Sequence, residues 1–302
     1  MNGFRELRKT NNLNIIKRTS CVSIMIVEEE HYTGHDGTIM LLRVWKPDES
    51  PRGVIIGFHG LGSHSGLQEF VATQFAAKGF IFYAPDLRGF GTFPGRRGHV
   101  ESYDEYDEDI KLLVEQIKEG HPDEKIFLFG HSLGAVHAAR YTMKYPNAPV
   151  QGLILPCPAV SERLKVSAAT RTMAAGLSKL NVKSYFDNGL DLDNLAQNPE
   201  VIKLNKEDPL RFDKATPRYA IEGLNASKDT FESAYRIKLP VLVMQTGMDQ
   251  ILVPEKNKEF FDNIGSEDKT WKLYPELYHQ PFEDPGGEVV LADVFSWIEE
   301  RL

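Results

Sequence analysis

An apolar run, Ile126-Phe127-Leu128-Phe129, passes directly into Gly130-His131-Ser132-Leu133-Gly134 and then into Ala135-Val136-His137-Ala138-Ala139-Arg140-Tyr141. The first segment reads as a buried strand and the last as a helix. Gly-x-Ser-x-Gly between a strand and a helix is a sharp turn that strains the serine backbone and leaves its hydroxyl exposed. Gly130 and Gly134 serve the same geometry, because a side chain at either would crowd the adjoining strand and helix. The pattern alone arises by chance at an average glycine usage of about 7%. The strand and helix around it make it specific.

The rest of the chain alternates in the same way. Buried or half-buried strands are predicted at 38–45, 53–58, 80–84, 126–129, 150–155, 239–245 and 269–274. Helices are predicted at 67–78, 103–118, 255–263 and 288–302. Strands apolar on both faces and separated by helices give an α/β class with a mostly parallel central sheet covered by helices on both sides. Residues 156–236 break the alternation. A helix is predicted over 161–180, through Leu164, Ala168, Met173 and Leu177, followed by a loop-rich acidic stretch over 182–213 and two helices at 216–226 and 227–234. This is a helical insertion expected above the strand C-terminal ends, where ligands bind in open α/β sheets. The expected division is a core of 25–155 and 237–302 with a cap of 156–236.

Residues 1–24 stand apart, carrying Arg5, Arg8, Lys9, Lys17 and Arg18 against Glu6. The apolar run that follows is too short for a signal peptide and meets Glu28, Glu29 and Glu30. A disordered basic extension is expected, with Met25 as a natural start; a basic arm for anionic lipid is the alternative. The net charge of −8 argues against a nucleic-acid partner. Two cysteines, Cys21 and Cys157, make no disulfide framework, which points to a reducing, cytoplasmic setting. No run of 18 apolar residues is present, so no transmembrane helix is expected.

A serine hydroxyl needs a base, an orienter for that base and donors for an oxyanion. Where serine sits on such a turn, the acid and then the histidine follow it along the chain. After Ser132 only His137 and His279 remain. His137 lies one turn into the helix and is expected to point away from the hydroxyl. His279 follows the last strand, in Tyr274-Pro275-Glu276-Leu277-Tyr278-His279, and Asp249 ends the preceding core strand. The oxyanion donors are expected to be the N–H groups of Leu133 and of Leu61 in His59-Gly60-Leu61-Gly62, where Gly60 and Gly62 allow close approach and His59 holds the loop. His131 is expected to be structural. His59 and His64 lack companions at metal-ligand spacing, so no metal is expected, and no cofactor. Gly89-Phe90-Gly91-Thr92-Phe93-Pro94-Gly95 misplaces the third glycine of a dinucleotide fingerprint.

From about residue 28 to the C-terminus the chain resembles the monoacylglycerol lipase and lysophospholipase-like branch of the α/β-hydrolases. The resemblance is clearest at His59-Gly60-Leu61-Gly62-Ser63-His64-Ser65-Gly66, Asp86-Leu87-Arg88-Gly89-Phe90-Gly91, the Gly130 to Gly134 turn, Gly247-Met248-Asp249 and Tyr278-His279. It implies an α/β-hydrolase fold with Ser132 as nucleophile, Asp249 as orienter, His279 as base, Leu61 and Leu133 as oxyanion donors, and a cap over an acyl-chain tunnel. The family commonly has Glu where Ser63 stands, Arg-Tyr where Leu67-Gln68 stand, and a small Ser-led stretch where Thr92-Phe93-Pro94 stand. These departures bear on recognition of the glycerol part.

The expected reaction is carboxylic-ester hydrolysis through an acyl-enzyme, on monoacylglycerol or a similar lipid ester. The enzymatic rivals keep the same residues and cleave a thioester, an aryl ester or an N-terminal prolyl amide. The rival from another class is a non-catalytic binding protein on this fold. Transient contact with a membrane surface through the cap is the further partner expectation. The oligomeric state is left open.

Overall fold

The computed structural model describes residues 26–161 and 168–302. The chain runs β1 (Ile26–Thr33), β2 (Ile39–Lys46), β3 (Gly53–Phe58), α1 (Glu69–Ala77), β4 (Phe80–Pro85), α2 (Asp104–Gly120), β5 (Ile126–Gly130), α3 (Leu133–Lys144) and β6 (Gly152–Pro156). An insertion follows, with α4 (Ala168–Lys179), β7 (Phe186–Asp187), α5 (Pro199–Glu207), β8 (Lys214–Ala215) and α6 (Pro217–Glu232). The core resumes with β9 (Val241–Thr246), α7 (Pro254–Asn263), β10 (Lys269–Tyr274) and α8 (Gly287–Glu299).

The main sheet has the order β1-β2-β4-β3-β5-β6-β9-β10. β2 is antiparallel to both of its neighbours, and every pairing from β4 to β10 is parallel. Successive side chains in a strand face opposite sides, and here they divide into two cores. Val54, Ile56, Leu128, Leu153 and Val243 join residues of α2 and α3, such as Ile110, Leu113 and Val136. Ile55, Phe127, Phe129, Ile154 and Leu242 join residues of α1 and α8, such as Phe75, Val294 and Trp297. A strand packed on both faces has to be apolar at every position, as β3 and β5 are.

Four local readings change. β1 was not among the expected strands. It is an edge strand whose charges lie against β2, with Lys46 Nζ donating to Glu28 at 2.6 Å and Arg43 paired with Glu29 at 3.2 Å. Charges on an edge strand also discourage pairing with another chain. Within 182–213, read as loop, lies α5; Asn198 caps it by accepting from the Glu200 N–H, and Pro199 opens its first turn. The two helices expected at 216–226 and 227–234 are one continuous α6, capped by Thr216 and opened by Pro217. The predicted 67–78 helix begins as a 3₁₀ turn at Ser65–Gln68. The expectations for residues 1–24, Cys21, Met25 and Leu164 lie outside the described residues. No helix among the described residues is long and apolar enough to cross a membrane.

Candidate active site

Parallel pairing brings the carboxyl ends of β3, β5, β9 and β10 to one edge of the sheet. The four loops that leave that edge carry Leu61, Ser132, Asp249 and His279. Residues more than 200 positions apart in sequence thus become neighbours through topology alone.

Ser132 has φ 57° and ψ −119°, a backbone conformation that costs a non-glycine residue on the order of 1–3 kcal/mol. The surroundings enforce it. Its N–H donates to Pro156 O at 3.1 Å, and its carbonyl accepts from Ala135 and Ala159 at 3.1 and 3.0 Å. A Cβ on Gly134 would collide with the Phe58 carbonyl, and one on Gly130 with the carbonyl of Gly134. Gly134 is therefore required for the start of α3 to lie against β3, and Gly130 for the end of β5 to lie against α3.

His279 Nδ1 lies 2.8 Å from Asp249 Oδ2, and both side chains are buried. A carboxylate only accepts, so Nδ1 carries the proton, and in the neutral ring Nε2 keeps its lone pair. Asp249 Oδ1 accepts the N–H groups of Ile251 and Leu252 at 2.8 and 2.9 Å. Burial opposes its charge, yet His279 and these two N–H groups hold the carboxyl well below the usual carboxylate range. His131 Nε2 donates to the main-chain carbonyl of His279 at 2.9 Å, so the residue beside Ser132 grips the histidine backbone directly. Ser132 and His279 line one small cavity of about 70 Å³.

The loop after β3 approaches Ser132 closely: a Cβ on Gly60 would stand 3.4 Å from Ser132 Cβ. Among the described residues, neither the Leu61 nor the Leu133 N–H donates to a protein acceptor. His59, within this loop, bonds through both ring nitrogens. Its Nε2 accepts from the Leu87 N–H at 3.1 Å, which leaves Nδ1–H to donate to Gly60 O at 2.9 Å. That carbonyl belongs to the same peptide unit as the Leu61 N–H, so the bond also fixes the direction of the N–H. Burial pushes the His59 pKa down to about 4 and that of His131 down to about 3, keeping both rings neutral near pH 7. Asp86, within the 86–91 motif, ties the neighbouring loops by accepting from Ser65 N–H at 2.9 Å and Thr92 N–H at 2.8 Å.

The insertion contributes residues that sequence reasoning missed. Phe212 N–H donates to Gly62 O at 2.9 Å, Arg211 Nη2 to Leu61 O at 3.4 Å, and Asp208 Oδ2 lies 3.0 Å from His64 Nε2. No local pattern announces these long-range contacts. His137 points away from the turn and stacks on Tyr103, with ring centroids 5.1 Å apart. Both ring nitrogens of His59 are held by protein groups. One further set, His131, Cys157 and His279, brings potential ligand atoms within 4.8 Å of one another. Its histidines are already engaged with the His279 carbonyl and Asp249, and burial pushes the Cys157 thiol up, away from thiolate.

Leu61 and Ser132 also line a second, far larger cavity of about 920 Å³ between the core and the insertion. Its walls include Leu177, Ala220, Leu224 and Phe231. The serine thus stands where a large apolar chamber meets a small one of mixed polar and apolar lining.

The sequence matches the Hydrolase_4 family, serine aminopeptidase S33, over residues 49–286. The chain is 34% identical over 277 residues to the monoacylglycerol lipase of Mycolicibacterium smegmatis, covering 91% of this chain and 98% of that protein. It is 30% identical to phospholipase YtpA of Bacillus subtilis, covering 85% of this chain and 99% of that one. The crystal structure of Paleococcus ferrophilus monoacylglycerol lipase is similar with a TM-score of 0.79 at 31% identity, covering 87% of this chain and 99% of that chain. The chain therefore belongs to the serine aminopeptidase S33 family of α/β-hydrolases, in its monoacylglycerol lipase-like branch, and is an ester hydrolase.

Proposed function

We propose that this chain hydrolyses monoacylglycerol or a similar lipid ester through an acyl-enzyme, with Ser132 as nucleophile, His279 as base and Asp249 as its orienter. Ser132 Oγ attacks the ester carbonyl carbon while His279 Nε2 takes its proton. The oxygen that becomes negative is stabilised by the N–H groups of Leu61 and Leu133. The intermediate then expels the alcohol, which leaves with the proton from His279. Water, deprotonated by the same imidazole, attacks the acyl-enzyme and releases the fatty acid.

One observation carries the reading: the Asp249–His279 pair is gripped by His131 beside a strained Ser132, at the junction of two unequal cavities. The large apolar one suits an acyl chain, since each buried CH₂ contributes about 0.8 kcal/mol. The small one, where His279, Gln280 and Asn205 stand among apolar side chains such as Phe58 and Leu67, suits a compact alcohol part. On this reading the insertion is a cap over the acyl site. Its exposed Met173, Leu180 and Phe186 would meet the lipid aggregate from which substrate is drawn.

Two measurements test it. Ser132→Ala is expected to leave folded protein whose turnover falls by on the order of 10⁶-fold, with no labelling by a fluorophosphonate. A panel of 1-monoacylglycerols, p-nitrophenyl esters, a thioester and an aminoacyl amide is expected to favour the medium and long acyl esters. Preference for the amide or for short aryl esters would overturn the substrate, and full activity in Ser132→Ala would overturn the mechanism.

A further inference from the structure

β9 is buried on both faces, yet it carries a fully buried amide, Gln245. A buried amide is tolerated there only if its donor and acceptor groups find partners. Every polar group of Gln245 is used. Its Nε2 donates to Thr246 O at 3.0 Å and to Asp249 Oδ2 at 3.2 Å, and its Oε1 accepts from Asn257 Nδ2 at 2.6 Å. Asp249 Oδ2 is the same oxygen that meets His279 Nδ1. With Oδ1 occupied by two backbone N–H groups, the Gln245 contact opposes rotation of the carboxylate away from the imidazole.

Asn257, on α7, sets the orientation of that amide. Its Nδ2 donates to Pro158 O at 2.9 Å as well as to Gln245, and its Oδ1 accepts from Ser161 Oγ at 2.8 Å. With Asn257 held this way, reversing the Gln245 amide would set oxygen against the Asp249 carboxylate and nitrogen against nitrogen. Pro158 and Ser161 belong to the segment that leaves β6 for the insertion. A buried polar line thus runs from His279 through Asp249, Gln245 and Asn257 to the root of the insertion.

We propose that Gln245 is a positioning residue for the Asp249 carboxylate, with its amide fixed by Asn257 and Ser161. The inference rests on Asp249 acting as the orienter of His279. It concerns alignment, so it is expected in kcat and in the pH profile rather than in KM.

The test compares Gln245→Met, Gln245→Glu and Asp249→Asn on one medium-chain ester from pH 5 to 10, with thermal unfolding recorded for each. Gln245→Met keeps the length and removes the donor; kcat is expected to fall about 10- to 100-fold, with KM within about twofold. In Gln245→Glu a protonated carboxyl still donates to Asp249 and accepts from Asn257. Activity is expected at the acid end and then an added descending limb as the new carboxyl ionises against Asp249. A purely structural glutamine would give no such limb. Wild-type kcat in Gln245→Met, or a Gln245→Glu profile parallel to wild type, overturns the proposal. If Gln245→Met fails to fold, Asn257→Asp, which keeps the acceptor for Ser161 but offers Gln245 no donor, is expected to lose about tenfold in kcat at unchanged KM; wild-type kcat there also overturns it. Asp249→Asn separates the two claims, with an expected loss of about 10⁴-fold. Full activity in that variant would defeat the reading of the site itself, whereas its collapse beside wild-type-like Gln245 variants would defeat only this inference.

Discussion

His131 and His279 are joined by a 2.9 Å hydrogen bond from the His131 ring to the His279 main-chain carbonyl. One side chain on the tight turn thereby sets the distance between that turn and the loop after β10. In His131→Ala the loop loses its anchor to the turn. Turnover is expected to fall about 10- to 100-fold with a small change in KM, because misplacement of about 1 Å is enough for such a loss. His131→Asn retains an N–H donor and is expected to recover part of it. Steady-state kinetics on a single ester decide this; unchanged kcat in a folded His131→Ala protein would show that the loop holds itself.

The loop carrying Leu61 is braced from the insertion by Arg211, which also pairs with Asp213 at 3.0 Å and donates to Asn205 at 3.0 Å. Arg211→Ala removes the donor to Leu61 O without touching the Leu61 N–H. Removing an oxyanion donor itself costs about 10²- to 10³-fold, so loss of the brace is expected to cost less, about tenfold in kcat. A change confined to KM would place Arg211 in substrate binding instead.

What was legible in the sequence follows from how far each signal reaches. The strands of the core are continuous apolar runs because both faces are packed, so Val54 to Phe58 and Ile126 to Phe129 announce themselves locally. Ser132, Asp249 and His279 were legible as candidates because each follows a strand end and the three occur in a fixed order. β1 escaped because Glu28 to Glu30 make sense only against Lys46 and Arg43 of the neighbouring strand. α5 had readable signals, Asn198 as cap and Pro199 behind it, but too little apolar periodicity to stand out from loop. The Arg211 brace, the His131 grip and the Gln245–Asn257 contact join residues that no sequence spacing relates.

Stability is expected to depend on pH through the buried histidines. Burial lowers His59 to about 4 and His131 to about 3. Below about pH 6.5 the unfolded chain takes up protons at these rings and the folded chain does not. Their contribution is therefore intact above that pH and declines as pH falls toward the folded values. From pH 6.5 to 5 each ring accounts for up to about 2 kcal/mol. Asp107, raised by burial to about 6, works in the opposite direction, since it holds its proton more tightly when folded. A comparison with His131→Asn isolates the histidine: in urea titrations, the stability of wild type relative to this variant is expected to drop by about 2 kcal/mol between pH 6.5 and 5. A difference that stays constant would contradict the assignment.

Gly223 offers the most direct test of the large cavity. It lies within α6, lines that cavity, and a Cβ placed on it would meet only Tyr103 Cε2 at 3.9 Å, an ordinary contact. A Cβ at 223 is therefore accommodated, the rest of the Gly223→Leu side chain is expected to extend into the cavity, and replacing a mid-helix glycine gains about 1 kcal/mol of helix propensity. The variant is expected to melt no lower than wild type. Its side chain would occupy the space of roughly three or four methylenes, each contributing about 0.8 kcal/mol when buried. Across esters of rising acyl length, kcat/KM is expected to stop climbing three or four carbons earlier than in wild type, with short esters unaffected. An unchanged chain-length profile in a folded Gly223→Leu protein would mean that the acyl chain lies elsewhere, whereas an equal loss at every length would point to a displaced α6 rather than a shortened chamber.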